Sequence, residues 1–250
     1  MNFRSLTTLF RKPKPLTSYA FLGNDMHAHL LPGIDDGAQE VADSIELIEG
    51  LLALGFTGFC ATPHVIADRY PNTPATIATA LERVQNELRQ RKMNVPLTAA
   101  AEYLVDQGFT AWLADRQLRT IGKHHVLIEM PFVAPAPQIE DHIFNIQVAG
   151  LRPIMAHPER YRYWNERSAE WDRIHKLGCE LQVNLLSLFG YYGKEAKKQA
   201  FNLIEADLVA YLGTDIHQVE QLQVLKNGLS DRNVARLLEG RTFKNASLKL

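Results

Sequence analysis

The chain has 250 residues, 46% of them hydrophobic, which is enough for a well-buried core. Its 27 basic and 28 acidic side chains give a formal charge of -1, which argues against a nucleic-acid binder that neutralises many phosphates. There is no apolar run near the roughly 18 residues needed to cross a bilayer and no signal-peptide core with its cleavage site, so a cytoplasmic protein is expected.

The first 20 residues read as a basic leader. MNFRSLTTLFRKPKP mixes Phe3, Leu6, Leu9 and Phe10 with Arg4, Arg11, Lys12 and Lys14. Such a segment either frays or lies peripherally on an anionic surface such as the inner face of the membrane. From residue 21 onwards, short β-branched runs alternate with segments of helical periodicity. Strands are expected at 21–27, 57–64, 95–103, 125–130, 152–158, 179–184 and 208–215. Helices are expected at 39–54, 74–92, 106–115, 137–149, 167–177, 194–206 and 217–228. The clearest is 74–92, where Pro74 suits a first turn and Ile77, Leu81, Val84 and Leu88 form one apolar stripe. Gly55, Gly150 and Gly178 each stand where a helix gives way to a strand, as left-handed caps do. Cys60 and Cys179 lie in apolar runs and read as reduced core thiols, a disulfide being the alternative.

No linker, repeat or low-complexity tract divides residues 21–250, which are expected to form a single α/β domain. Seven β/α units suit a closed or nearly closed TIM-like barrel, since no G-x-G-x-x-G or Walker pattern marks a doubly wound sheet. An open sheet is the competing fold.

In a parallel barrel, chemistry gathers where the strands end. The expected strands end at His27 and His29, at His64, at Glu102, at Glu129, at His157, and at Asp215 and His217, with Asp36 in the first loop. Crowded carboxylates repel and raise one another's pKa, and divalent cations remove that penalty. His27 and His29 are two apart, so an extended strand points both to one face, and Asp215 and His217 repeat the spacing. Asp36, Glu102, Glu129 and Asp215 supply four negative charges, while five histidines bind as neutral imidazoles. Three divalent ions would leave this cluster positive, with about three protein ligands each and open positions for water and a dianionic substrate. Imidazole and carboxylate without thiolate suit zinc, iron or manganese.

The motifs DMHAHLLPGIDDG, ATPH, AAAEY, LIEMP, AHPERY and GTDIH, in this order and spacing, resemble the polymerase and histidinol phosphatase (PHP) superfamily. Within it they are similar to the bacterial manganese-dependent protein-tyrosine phosphatases linked to capsule and exopolysaccharide synthesis. The resemblance runs from about Asp25 to His217 and implies a distorted (β/α)7 barrel with three metal ions, most commonly manganese. It implies that His27, His29, Glu102 and Asp215 hold one metal, that Glu102 bridges to a second held with Glu129 and His157, and that Asp36, His64 and His217 hold the third. Glu129 stands where several other PHP branches place a histidine. Arg160 matches an arginine that contacts phosphate. A second phosphate-binding arginine, which those phosphatases carry shortly after the last D-x-H, is missing from DIHQVEQLQVLK.

The implied chemistry is phosphotyrosine hydrolysis. A metal-bound hydroxide, its water pKa lowered from about 16 to roughly 7, attacks phosphorus in line while the ions and Arg160 hold the oxygens. A tyrosyl leaving group, with a pKa of about 10, needs little protonation. Neither cysteine has an arginine at the Cys-x5-Arg spacing of cysteine-dependent phosphatases. The implied partner is a phosphotyrosine protein, specifically an autophosphorylating bacterial tyrosine kinase. The competing readings are a small-metabolite phosphatase of the histidinol phosphate type, a metal-dependent amidohydrolase, and a non-catalytic kinase-binding partner. Asp25 either orients a ligand histidine or ends a strand. Asp35 and Gly37 shape the turn, with Asp35 an alternative to Asp36 as ligand. Arg69, Tyr70, Tyr161, Tyr191 and Tyr192 are candidates for the substrate mouth, while His124, His125, His142 and His175 fall outside the strand-end pattern.

Overall fold

In a computed structural model that describes residues 13–115, 117–164 and 168–248, the β-branched runs form parallel strands and the amphipathic stretches form helices between them. The strands are β1 (Asn24–Ala28), β2 (Gly58–Ala61), β3 (His64–Val65), β4 (Leu97–Ala99), β5 (Glu102–Leu104), β6 (His125–Glu129), β7 (Arg152–Ala156), β8 (Glu180–Asn184) and β9 (Val209–Gly213). The helices are α1 (Val41–Ala53), α2 (Pro74–Gln90), α3 (Gln107–Ala114), α4 (Ile139–Val148), α5 (Ser168–Lys176), α6 (Leu185–Leu188), α7 (Lys194–Glu205), α8 (Val219–Gly228) and α9 (Arg232–Leu238). Most of the leader's apolar and basic residues lie outside the described residues. Among the described residues, no helix is long and apolar enough to cross a membrane.

Seven strands are expected, and two of them are interrupted. Pro63 has no N–H to donate and separates β2 from β3, while Ala100 and Ala101 separate β4 from β5. The strands group into two parallel sheets, β1-β2-β4 and β3-β5-β6-β7-β8-β9. Backbone bonds bridge the interruption: Ala100 donates to the Ala61 carbonyl at 2.8 Å and Glu102 to that of Pro63 at 3.0 Å.

At their other edges, β1 and β9 lie side by side. Asp215 N–H donates to the His27 carbonyl at 2.8 Å and His29 N–H to that of Ile216 at 2.9 Å. Asp25, a candidate for orienting a histidine ring, works here on backbone instead. Its carboxylate accepts from the N–H and hydroxyl of Thr214 and from the N–H of His27. Further back, the buried Asn245 side chain fills the seam. It accepts from Leu212 N–H and donates to the carbonyls of Leu212 and Asn24.

Helix ends follow local chemistry. Thr73 and Thr76 form a capping box ahead of Pro74, and Asp106 accepts from the N–H groups of Gly108 and Phe109 to start α3. Gly55, Gly150 and Gly178 all have positive φ, as their positions after helices require. The expected strand at 21–27 begins only at Asn24, because Tyr19 to Gly23 turn back on themselves. Tyr19, inside the stretch read as leader, is fully buried. Its ring stacks on Phe56 and its hydroxyl donates to the Leu225 carbonyl at 2.7 Å.

Both strand faces are buried. One face packs on the helices through residues such as Phe59, Val126, Ile128 and Met155. The other buries Met26, Cys60, Leu127, Ile154 and Tyr211. Both cysteines are buried and free, so the disulfide alternative falls. Asn245→Ala leaves three backbone groups at the β1–β9 seam without their partner, and is expected to cost about 3 kcal/mol in urea denaturation. The exposed Ser247→Ala should cost little.

Candidate metal centre

Alternation along a strand carries the inner face from hydrocarbon to ligand. Leu127 is followed two residues on by Glu129, and Tyr211 by Gly213 and then Asp215. The backbone bends sharply where the ligands are delivered: His157 has φ 34 and Asp215 φ 51, a region that costs a non-glycine residue about 1 kcal/mol or more. Gly213 makes room, since a Cβ there would lie 2.8 Å from His27 Cβ and 2.9 Å from Gln182 Nε2. Gly37 does the same in the first loop, where a Cβ would lie 2.3 Å from the His29 carbonyl oxygen.

All nine candidate ligands converge. His27 Nε2 stands 3.3 Å from Glu102 Oε2 and 3.2 Å from Asp215 Oδ1, and His29 Nε2 stands 3.4 and 3.3 Å from the same atoms. His64 Nδ1 is 3.1 Å from both Glu102 Oε2 and Glu129 Oε1. Its Nε2 is 3.5 Å from Asp36 Oδ1, which is itself 3.6 Å from His217 Nε2. His157 Nε2 is 2.8 Å from Glu102 Oε1 and 3.8 Å from Glu129 Oε2. The arrangement differs from the implied grouping in that His64 faces two positions through its two nitrogens, His29 also stands with Asp36, His64 and His217, and, among the described residues, His157 meets Glu102 without joining a group of three.

Three groups of side chains here are close enough to share an ion: His27, His29, Glu102 and Asp215; His64, Glu102 and Glu129; and His29, Asp36, His64 and His217. The first group tests the fit directly. Ligand atoms around a tetrahedral ion with bonds of about 2.0–2.1 Å lie about 3.4 Å apart, which is the spacing found. Glu102 Oε2 has three imidazole nitrogens near it yet accepts no hydrogen bond, and His64 Nδ1 is likewise buried without one. Buried polar atoms so left are costly, and a cation between them satisfies both. The donor set therefore fits divalent metal.

Without an ion, protons take its place. Burial opposes charge on His27, but Glu102 and Asp215 outweigh it and push the imidazole up to about 10. Burial likewise opposes ionisation of Glu102, yet His27, His64 and His157 hold its carboxyl well below the usual range. Burial, reinforced by the neighbouring His29, brings His217 down to about 4, leaving it neutral as a ligand must be.

Supporting residues fix the ligands' outer atoms. Gln182 Oε1 is 2.7 Å from His27 Nδ1, and its amide donates to Asn184 Oδ1, whose own amide reaches Asp215 Oδ2 at 2.6 Å. Asp35, an alternative ligand in sequence, turns to the far side of His29 instead, 2.8 Å from Nδ1, and also accepts from the N–H groups of Gly37 and His64. Burial would raise its carboxyl, but His29 brings it down to about 2. Neither Gln182 nor Asn184 carries a local sequence signal for this part.

The cluster opens into a cleft of about 530 Å³. Arg160 reaches into it, Nη1 2.9 Å from Asp215 Oδ2, with its guanidinium 4.7 Å from the centre of the Phe132 ring and 4.2 Å from that of Tyr192. Arg69, Tyr70, Tyr191 and Tyr192 line the same cleft, joined by the unforeseen Phe132 and Val133. Tyr161 does not line it. It is buried, stacked on Trp171, and accepts from Met130 N–H at 2.9 Å.

Two outcomes follow for stability and affinity. Because the His27 pKa is raised from 6.5 to about 10, its contribution to the metal-free fold is present below about 6.5 and lost as pH rises through about 10. The chelated protein is therefore expected to show a falling Tm across that window, and re-added metal to raise Tm most at its upper end. Gln182→Leu is expected to weaken metal binding about 10- to 100-fold by calorimetry, since His27 loses the partner that fixes its tautomer.

A family model described as capsular polysaccharide synthesis, CpsB/CapC, matches residues 23–225. The tyrosine-protein phosphatase YwqE of Bacillus subtilis (strain 168) is 32% identical over 197 residues, covering 78% of each chain. The tyrosine-protein phosphatase CpsB of Streptococcus pneumoniae is 24% identical over 202 residues, 78% of this chain and 83% of that one. A solved structure from work on YwqE of Bacillus subtilis and CpsB of Streptococcus pneumoniae, described as metal-dependent tyrosine phosphatases, matches with a TM-score of 0.74 at 28% identity. That match covers 88% of this chain and 96% of the other. With the family model spanning most of the chain, this protein belongs to the CpsB/CapC capsular polysaccharide synthesis family.

Proposed function

We propose that the chain is a metal-dependent protein-tyrosine phosphatase with a trinuclear centre, manganese its ordinary metal and iron or zinc the alternatives. The observation that carries this reading is the meeting of nine imidazole and carboxylate side chains under a cleft into which Arg160 projects. His27, His29, Glu102 and Asp215 hold one ion, Glu102 with Glu129 and His157 a second, and Asp36, His64 and His217 the third. His64 Nδ1 leans towards the second position. When bound, the ions supply the acidified water that attacks phosphorus and the positive charge that offsets the phosphoryl oxygens.

The chain's own residues do the rest. Arg160 presents a planar guanidinium held between Phe132 and Tyr192, suited to two oxygens of a phosphoryl group. The same aromatic walls accept a phenol ring. A tyrosyl leaving group, with a pKa of about 10, departs with little help from an acid. The substrate in this reading is an autophosphorylating tyrosine kinase of capsule or exopolysaccharide synthesis, met in the cytoplasm or at the inner face of the membrane. The fold in this reading is one domain over 21–250, its two sheets closing into a distorted (β/α)7 barrel of the PHP type. The β1–β9 backbone bonds support that closure.

One observation favours a second reading. Gln218 and Gln221 line the cleft just beyond His217, so the region after the last D-x-H brings no cation to it. A small phosphomonoester would need fewer contacts than a peptide. Metal-loaded protein is expected to release phosphate from p-nitrophenyl phosphate and phosphotyrosine peptides in preference to small aliphatic esters. The reverse preference supports the metabolite reading. Chelation or His157→Ala is expected to abolish release, and retained activity in both overturns the metal mechanism. Arg160→Ala is expected to lower kcat/KM about 100-fold with metal content unchanged by elemental analysis.

A further inference from the structure

The wall of the cleft carries a second arginine that the chemistry above does not use. Arg69 is exposed and lines the cleft, its guanidinium 4.9 Å from the centre of the Tyr70 ring. That ring lies nearly parallel to His64, with centres 5.7 Å apart at 10°. Tyr70 thus touches both His64, a half-buried member of the cluster, and Arg69 on the exposed cleft wall. The loop beneath is well tied. Ile66 and Tyr70 exchange backbone bonds of 3.0 and 2.9 Å, and Arg69 N–H donates to Ile66 at 3.2 Å. Asn72 fastens the loop to the carbonyls of Ile34 and His64.

The two arginines of the cleft differ in state. Arg160 is paired with Asp215, whereas among the described residues no carboxylate stands within ion-pair distance of Arg69. A cation held over an aromatic ring, on a tied loop and without an internal anion, is arranged for an anion that arrives from outside. That anion is not the phosphoryl group, which belongs at the floor with Arg160 and the ligands. It meets the cleft at the exposed stretch of wall where Arg69 stands. In an extended peptide whose phosphotyrosine reaches the floor, the adjacent residues lie about 3.3–3.6 Å apart along the rim.

We propose that Arg69 is a specificity-determining residue, receiving the carboxylate of an Asp or Glu next to the phosphotyrosine of a protein substrate. This rests on the phosphatase reading. It gives the cleft a preference for acidic phosphopeptides that neither Arg160 nor the metal ligands supply. An arginine is suited to the role because its fork meets a carboxylate with two parallel hydrogen bonds.

The test compares kcat/KM for two phosphotyrosine peptides, identical except that Glu or Gln flanks the phosphotyrosine. Metal-loaded wild type, Arg69→Ala and Arg69→Glu are assayed at low and high salt. Wild type is expected to favour the Glu peptide about fivefold, through KM and less so at high salt. The preference should vanish in Arg69→Ala and invert in Arg69→Glu. Equal use of both peptides by wild type, or an unchanged preference in Arg69→Ala, overturns the proposal and leaves the phosphatase reading standing. No phosphate release from either peptide by wild type overturns the phosphatase reading and the proposal with it.

Discussion

The structure depends on one electrostatic constraint: carboxylates and imidazoles removed from water must be given opposite charge. Glu102, Asp215, His27 and His29 are almost wholly buried. Burial alone would drive the acids neutral and strip the imidazoles of protons. Each acid instead faces several imidazoles, so either protons or cations can hold the cluster together. With protons, each ring neutralises part of one carboxylate and leaves Glu102 Oε2 without a hydrogen bond. A divalent ion carries twice the charge of a proton and can sit among four donors at once. This is why the spacing of the first group suits a metal better than a hydrogen-bond network.

The fold is shaped to bring these groups together without trapping them unsupported. Parallel strands point their ends at one rim, and the connecting helices cover the outer faces with apolar side chains. Small residues are placed where ligands must pass close. Gly213 lets β9 approach His27 and Gln182, and Gly37 lets the first loop fold against His29. Around the ligands, neutral amides take the remaining nitrogens and oxygens. A charged partner at Gln182 would add another ion to a crowded site, whereas an amide can serve His27 with one end and Asn184 with the other.

Much of this was legible in the sequence, and the boundary is physical. Ligand types at strand ends need only alternation and chain order to be placed, so His27, His29, Glu102 and Asp215 could be located without coordinates. Helix punctuation was equally local, as Pro74 and Gly55 show. What stayed hidden depends on how distant segments align. Gln182 lies 155 residues from His27 and has no mark of its function until β8 and β1 are set in space. Asp25 and Asp35 are chemically identical in sequence. One became a clamp on the Thr214 backbone and the other a brace for His29, because of where the chain turns around each. Tyr161 read as a rim aromatic, but the packing of Trp171 drew it into the core.

Asp215 joins the two halves of the site. Its Oδ1 faces His27 and His29, while its Oδ2 faces Arg160, Asn184 and, at 3.4 Å, the hydroxyl of Tyr192. One carboxylate therefore touches both the cluster and the cleft. If Arg160 swings from Asp215 to a phosphoryl group, the Asn184 amide at 2.6 Å still covers Oδ2, so the acid is not left bare. The left-handed backbone at this residue, held by the bond from its N–H to His27, keeps both oxygens aimed in their two directions. The guanidinium of Arg160 is partly open to solvent, so releasing Asp215 costs it less than breaking a fully buried pair would. The cover from Asn184 and Tyr192 lowers it further, and in the proposed phosphatase reading this lets Arg160 turn from Asp215 to a phosphoryl group.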